Sequence, residues 1–313
     1  MSDVRETDGK VIAILCADIH LSLNPPIWRS VEEDWFWVMQ RPLVEIKKIQ
    51  QEHDCTIICA GDIFDKWNSP PELINFALKH LPNMYAVPGQ HDLPLHNYDD
   101  IEKSAYWTLV KAGKINPLPP KVYSDHKNII MHGFPFGYPV KPITKIEGSK
   151  PQIAVVHEYA CIEGLSYSNA PSGSDVAKRK AKFIDGKIMG YDVIVYGDNH
   201  KGFYCHIGDT HIFNCGSLMR RNSDQIDYKP QVGLLLSSGE VIPHYLDISK
   251  DKYIDTANTL GPGMALPGMK EFIEELEKLG DTDLDFLEAM KQYLKTNNVK
   301  TEIANVILGA MGL

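Results

Sequence analysis

Short apolar, β-branched runs recur along the chain: "KVIAILCAD", "CTIICAGD", "NMYAVPG", "KNIIMHG", "PQIAVVHE", "YDVIVYGD", "THIFNCGS" and "VGLLLSSG". Each is apolar with little alternation, the pattern of a strand covered on both faces, and together they predict an α/β protein of layered sheets. Trp35, Val38, Met39, Val44, Ile46 and Ile49 predict a helix over about residues 30–52, which the interior Pro42 should kink or divide. Pro70 and Pro71 open a second predicted helix, where proline is tolerated in the first turn. Near residue 250 the pattern changes, because the Gly and Pro of "TANTLGPGMALPG" stop both periodicities. Beyond it three groups at helical spacing, around Leu276, Met290 and Val306, predict short amphipathic helices. The expected organisation is a main domain over residues 1–248, a linker over 249–268 and a helical C-terminal appendage over 269–313. An appendage that small is expected to pack on the main domain or on a partner.

A length of 313 residues suits one large domain with such an appendage. The 32 basic and 41 acidic residues leave a net charge of −9, which argues against gripping nucleic acid or an anionic membrane by bulk charge. The six cysteines are scattered with no CxxC pair, as expected of reduced thiols in a cytoplasmic protein. The opening "MSDVRETDGK" is polar and the apolar run behind it short, so neither a secretory signal nor a membrane span is expected.

Five of the predicted strands end in groups that ligate or hydrogen-bond. They are "CADIH" with Asp18 and His20, "AGDIFD" with Asp62 and Asp65, "PGQHD" with Gln90, His91 and Asp92, "VVHE" with His157, and "YGDNH" with Asp198 and His200. Residues two apart on an extended chain point the same way, which predicts that Asp18 with His20, and Asp198 with His200, face one site. Gly61, Gly89 and Gly197 mark the expected tight turns. Singly, such an Asp caps a helix and such a His is structural. Five strand ends converging on the carboxyl edge of a sheet, rich in oxygen and nitrogen donors, instead suit hard or borderline divalent metals such as Mn, Fe, Mg or Zn.

The order of these motifs, D-x-H, G-D-x-x-D, G-[N]-H-[DE], a strand-end His and G-[H]-x-H, resembles that of the calcineurin-like metallophosphoesterases over roughly residues 10–245. "GDIFDKW" and "PGQHD" look most like the SbcD-like DNA repair exonucleases and related phage phosphoesterases. The resemblance implies a four-layer α/β fold: two mixed β-sheets packed face to face, flanked by helices, with two divalent metal ions at the sheet edge. By position, Asp18, His20, Asp62 and His200 would hold one ion, and Asp62, Gln90, His157 and Asp198 the other. His91 stands at the general-acid position, with Asp92 beside it to orient the imidazole. Two residues depart from the pattern. Gln90 replaces the usual Asn and Asp198 the first His of the last motif, and both keep an oxygen donor. The added carboxylate is expected to favour the harder Mn or Mg over softer metals, with Mn the first expectation and Mg, Fe or Zn as alternatives.

The implied activity is hydrolysis of phosphodiester bonds, with DNA as the expected substrate. An SMC-like ATPase docked through the C-terminal helices is the implied partner, and a homodimer stays open. Nucleotides, small phosphodiesters or phosphoproteins are the alternative substrates, and a catalytically silent interaction module is a third reading. Asp65 is a candidate for contact with substrate or for a turn carboxylate, and Arg220 and Arg221 are candidates for a phosphate contact or for ion pairs. The basic stretch at residues 169–183 reads as a solvated helix face in preference to a phosphate-tracking loop. Trp28, Trp35, Phe36 and Trp37 read as core in preference to a base-stacking surface.

Overall fold

All eight apolar runs form strands in the computed structural model, which describes residues 9–144, 150–161, 190–222 and 225–254. The first compact unit spans Met1–Ile254. The expected C-terminal helices and the basic stretch at 169–183 lie outside the described residues. In chain order the elements are β1 (Val11–Cys16), α1 (Trp35–His53), β2 (Thr56–Cys59), α2 (Pro71–His80), β3 (Met84–Ala86), α3 (Ala105–Lys111), β4 (Ile115–Pro117), β5 (Tyr123–His126) and β6 (Ile129–Phe134). There follow β7 (Gln152–His157), β8 (Val193–Gly197), β9 (Phe203–Ile207), β10 (Thr210–Asn214), β11 (Gln231–Leu236) and β12 (Val241–Tyr245).

They build two six-stranded sheets, ordered β12-β11-β1-β2-β3-β4 and β5-β6-β7-β8-β10-β9. Both are mixed: β1 to β4 run parallel, with β11 antiparallel to β1 and β12 antiparallel to β11, and β6, β7, β8 and β10 run parallel between antiparallel β5 and β9. The period-2 rule assigns faces in the second sheet. Ile153, Val155, Val193, Val195 and Phe213 join the large core shared with the first sheet, whereas Ala154, Val156, Ile194, Tyr196 and Ile212 form a second cluster on the opposite face. The helices α1, α2 and α3 pack on the first sheet and on one another. This is the pair of mixed, face-to-face sheets with flanking helices that the resemblance implies. Among the described residues no helix is long and apolar enough to cross a membrane.

Of the kink or division expected at Pro42, the division does not occur, and the helix α1 runs 19 residues through it. Pro42 withholds one backbone donor, but it lies on the buried face with Val38, Met39, Leu43, Ile46 and Ile49, and burial of that stripe offsets the missing bond. The start is set by Asp34, whose carboxylate accepts from the Trp37 amide at 2.9 Å. The aromatic cluster also divides. Trp35 is buried and donates to the Ser22 carbonyl at 3.0 Å, whereas Trp37, on the other side of the helix, is 42% exposed with Arg41 4.8 Å and Lys250 5.5 Å from its ring. The prediction for α2 holds, with Pro70 before the first turn and Pro71 in it.

Register places the site. Cys16 pairs with Cys59 and Cys59 with Ala86, so β1, β2 and β3 end level with one another. In the second sheet His157 at the end of β7 pairs with Gly197 at the end of β8. His157 itself and the loops that leave these ends carry all the predicted ligands. Truncating the intersheet core should be costly: Ile153→Ala is expected to lose about 2–5 kcal/mol, while Val44→Ala, at a half-exposed helix position, should stay within about 0.5 kcal/mol, both read by urea denaturation.

Candidate metal centre

The loops after β1 and β2 run side by side, with the Asp18 amide donating to Gly61 O at 3.0 Å, His20 to Asp62 O at 2.9 Å and Leu21 to Ile63 O at 2.8 Å. That pairing brings three predicted ligands together by backbone alone. The expectation that an extended chain aligns Asp18 with His20 is corrected, because Asp18, His20, Asp62 and Asp198 all have left-handed backbone, at φ of 50°, 47°, 53° and 76°. Such conformations are unfavourable for side chains other than glycine and cluster where geometry is dictated by a site. The glycines serve close approach more than turning. Gly61 is left-handed, at φ +100°, but Gly89 is not, and a Cβ on either would press into the His157 ring.

His157 is fully buried and its Nδ1 contacts the Ala60 carbonyl at 2.5 Å. A carbonyl only accepts, so Nδ1 carries a proton; burial would lower this ring, but Asp62, Asp18 and Asp198 hold it well above the ordinary histidine range, and Nε2 is the nitrogen that a cation would take over from a proton. Nε2 donates to Gln90 Oε1 at 2.6 Å and lies 3.4 Å from Asp62 Oδ2. On the other side His20 Nε2 is 3.0 Å from His200 Nε2, 3.6 Å from Asp62 Oδ2 and 3.9 Å from Asp18 Oδ1. Asp62 Oδ1 accepts from the His91 amide at 3.0 Å, while Oδ2 is buried with no hydrogen-bond donor and sits between the two histidine groups. Three sets, Asp18 with His20 and His200, His20 with Asp62 and His91, and Asp18 with Asp62 and His157, each bring ligand atoms within 4.8 Å of one another.

Electrostatics point to a missing positive charge. Burial pulls His200 down to about 3, with His20 adding to it, and burial also lowers His20. Both rings are then neutral, and donors that point lone pairs at one place call for a cation. Burial likewise pushes Asp18 well above the usual carboxylate range, which His157 opposes and the charges of Asp62 and Asp198 reinforce. Burial would also raise Asp62, but the His157 ring, charged in the metal-free protein, outweighs it and holds that carboxyl below its ordinary value. Asp62 therefore stays ionised, with an unsatisfied oxygen facing both histidine groups. The residues present fit divalent cations held by Asp18, His20, Asp62 and His200 on one side, and by Asp62, His157 and Gln90 on the other.

The family model for calcineurin-like phosphoesterase matches residues 13–202. The chain belongs to that family. No curated protein matches it. Among solved structures it is similar to the calcineurin-like phosphoesterase YfkN from Bacillus subtilis, at 14% identity and a TM-score of 0.44 over 76% of this chain and 90% of that one. It is also similar to an archaeal phosphodiesterase, at 12% identity and a TM-score of 0.38 over 75% and 99% of the two chains. A third is the sulfate thiohydrolase SoxB of Thermus thermophilus, at 11% and 0.45, of whose length the match covers 59% and which covers 80% of this chain.

Within this calcineurin-like phosphoesterase the remaining predicted residues divide. Asp92 does not orient His91. It is buried beneath the loops, accepting from the amides of Ile63, Phe64 and Gly89 at 3.2, 3.0 and 3.1 Å, and burial together with the charge of Asp62 raises it to about 7. His91 is held instead by the Asp65 carbonyl, 2.9 Å from Nδ1, so its Nε2 is the nitrogen free to exchange a proton. The Asp65 carboxylate lies 3.5 Å from His20 Nδ1 and 2.7 Å from Arg221 Nη2. Burial would raise it, but the nearby His20 ring and Arg221 bring it down to about 2. Arg221 also donates to the His20 carbonyl at 2.7 Å, so the ion-pair reading applies, with the pair bracing a ligand.

Arg220 is not a phosphate contact. It donates to Asp251 at 3.2 and 3.1 Å and to the Ile226 carbonyl at 2.9 Å, because that carboxylate gathers Arg29 and Arg41 as well. Asn199 turns from the site to the Ala160 carbonyl at 2.7 Å. Sequence reasoning missed Gln225, which is fully buried, accepts from the Arg221 amide at 2.7 Å and donates to Ser217 at 2.7 Å. Nothing in its neighbourhood of the sequence marks it.

The two arginines should separate in experiment. Arg221→Met is expected to weaken divalent metal affinity by about 10–100-fold, the usual loss for a group that orients a ligand. Arg220→Met should leave metal affinity intact and lower stability by about 1–3 kcal/mol. Calorimetric titration with Mn and thermal unfolding of the same samples measure both.

Proposed function

We propose that this chain is a dinuclear, metal-dependent phosphodiesterase acting on DNA, in the manner of the SbcD-like branch that "GDIFDKW" and "PGQHD" resemble. The observation that carries the dinuclear reading is Asp62 Oδ2, buried without a donor between His20 and His157. Two divalent ions, Mn by preference, would there supply Lewis-acid polarisation of a phosphoryl oxygen and lower the pKa of the attacking water. The protein's own contribution is His91, tethered at its amide by Asp62 and at Nδ1 by the Asp65 carbonyl. Its Nε2, when protonated, is the proton source for the departing alkoxide. The six free cysteines support a reducing, cytoplasmic setting. An SMC-like ATPase bound through residues 269–313 belongs to the same proposal, and unchanged binding after truncation at Ile254 would remove that assignment.

The first test is Mn-dependent hydrolysis of linear double-stranded DNA, single-stranded DNA and a small chromogenic phosphodiester. Wild type should cut DNA, a chelator should abolish cutting, and His91→Ala should lose about 10²–10⁴-fold in turnover while keeping its metal. Cleavage of the small ester alone, with and without the ATPase, would exclude DNA as the substrate. Metal loss in step with activity loss would make His91 structural.

A further inference from the structure

Resting on the metal-centre reading, we infer that Asp198 acts as a positioning residue for Gln90 and is not itself a metal ligand. Three observations lead there. Asp198 belongs to none of the ligand sets that gather Asp18, His20, Asp62, His91, His157 and His200. Its left-handed backbone turns its amide onto the Asp18 carboxylate, 3.1 Å from each oxygen, and its side chain meets Gln90. There Gln90 Nε2 donates to Asp198 Oδ1 at 2.6 Å.

That contact decides which end of the Gln90 amide faces the cation. A primary amide has a donor end and an acceptor end of nearly equal shape, and its hydrogen-bond partners select the orientation. With Nε2 committed to Asp198, Oε1 faces His157 Nε2, 2.6 Å away, on the side where a cation would replace that ring's proton. The flipped amide would set its oxygen against the Asp198 carboxylate and its N–H groups towards the cation site, repulsive or useless on both sides. The contact with Asp198 therefore makes Gln90 a one-way oxygen donor. The two departures from the family's motif are thus one paired arrangement, in direct contact.

The test is a double-mutant cycle on metal affinity, read by calorimetric titration of Mn into the metal-free full chain. Asp198→Gly removes the carboxylate without backbone strain, because glycine accepts φ 76° freely. Asp198→Asn keeps an oxygen that can accept from Gln90 and tolerates the same backbone. The variants Gln90→Ala and Asp198→Gly should each weaken the weaker of two Mn sites by about 10–100-fold. The double variant should be no worse than Gln90→Ala alone, since Asp198 acts only through Gln90, and Asp198→Asn should recover most of the loss. Losses that multiply in the double variant, or Asp198→Asn as damaging as Asp198→Gly, would make Asp198 a ligand and overturn the inference while leaving the metal centre standing. A wild type that takes up fewer than two ions would overturn the dinuclear reading itself. Thermal unfolding of the metal-free variants separates either result from simple misfolding.

Discussion

A carboxylate taken out of water must be compensated, and the centre of this molecule is a fully buried one, Asp62, kept ionised with only half of its hydrogen-bonding capacity met. One oxygen holds the His91 amide, which fixes the start of the turn after β3. The other faces His20 from the first sheet and His157 from the second. The sheets therefore meet at this residue chemically as well as by packing. Level strand ends in both sheets are the condition for it, since a one-residue slip would turn the ligands to the opposite face.

Holding that arrangement requires unfavourable backbone. Four site residues adopt left-handed conformations that cost roughly 1–2 kcal/mol each in a regular chain. They persist because neighbouring loops overdetermine them: the β1 and β2 loops hydrogen-bond to each other, Asp92 ties three amides together, and Gln225 clamps the turn that carries Arg221. Asp, Asn and His tolerate the left-handed region better than most residues. The same residue types thus suit the backbone and the cation.

The fold was legible where strands are covered on both faces. The eight apolar runs are all interior strands, and the four strands that the sequence hides, β4, β5, β9 and β12, are the four sheet edges. Edge strands carry exposed and half-exposed positions throughout β5, and proline at Pro117 in β4 and Pro243 in β12, so they lack the unbroken apolar signal. Pro42 misled in the opposite direction. Its local penalty was readable in the sequence, but the buried stripe that outweighs it belongs to the tertiary packing.

The order of His, Asp and amide residues after apolar runs was enough, by itself, to identify a divalent-metal site and the family, because ligand chemistry is a property of residue type and strands place their following loops in a regular way. What each remaining polar residue does was decided only in three dimensions. Asp65 and Arg221 brace His20 across 156 positions of sequence, and Arg220, its immediate neighbour, serves a different carboxylate. Asp92 supports amides, and Asp198 meets Gln90. A hydrogen bond depends on distance and direction between atoms, and separation along the chain carries neither.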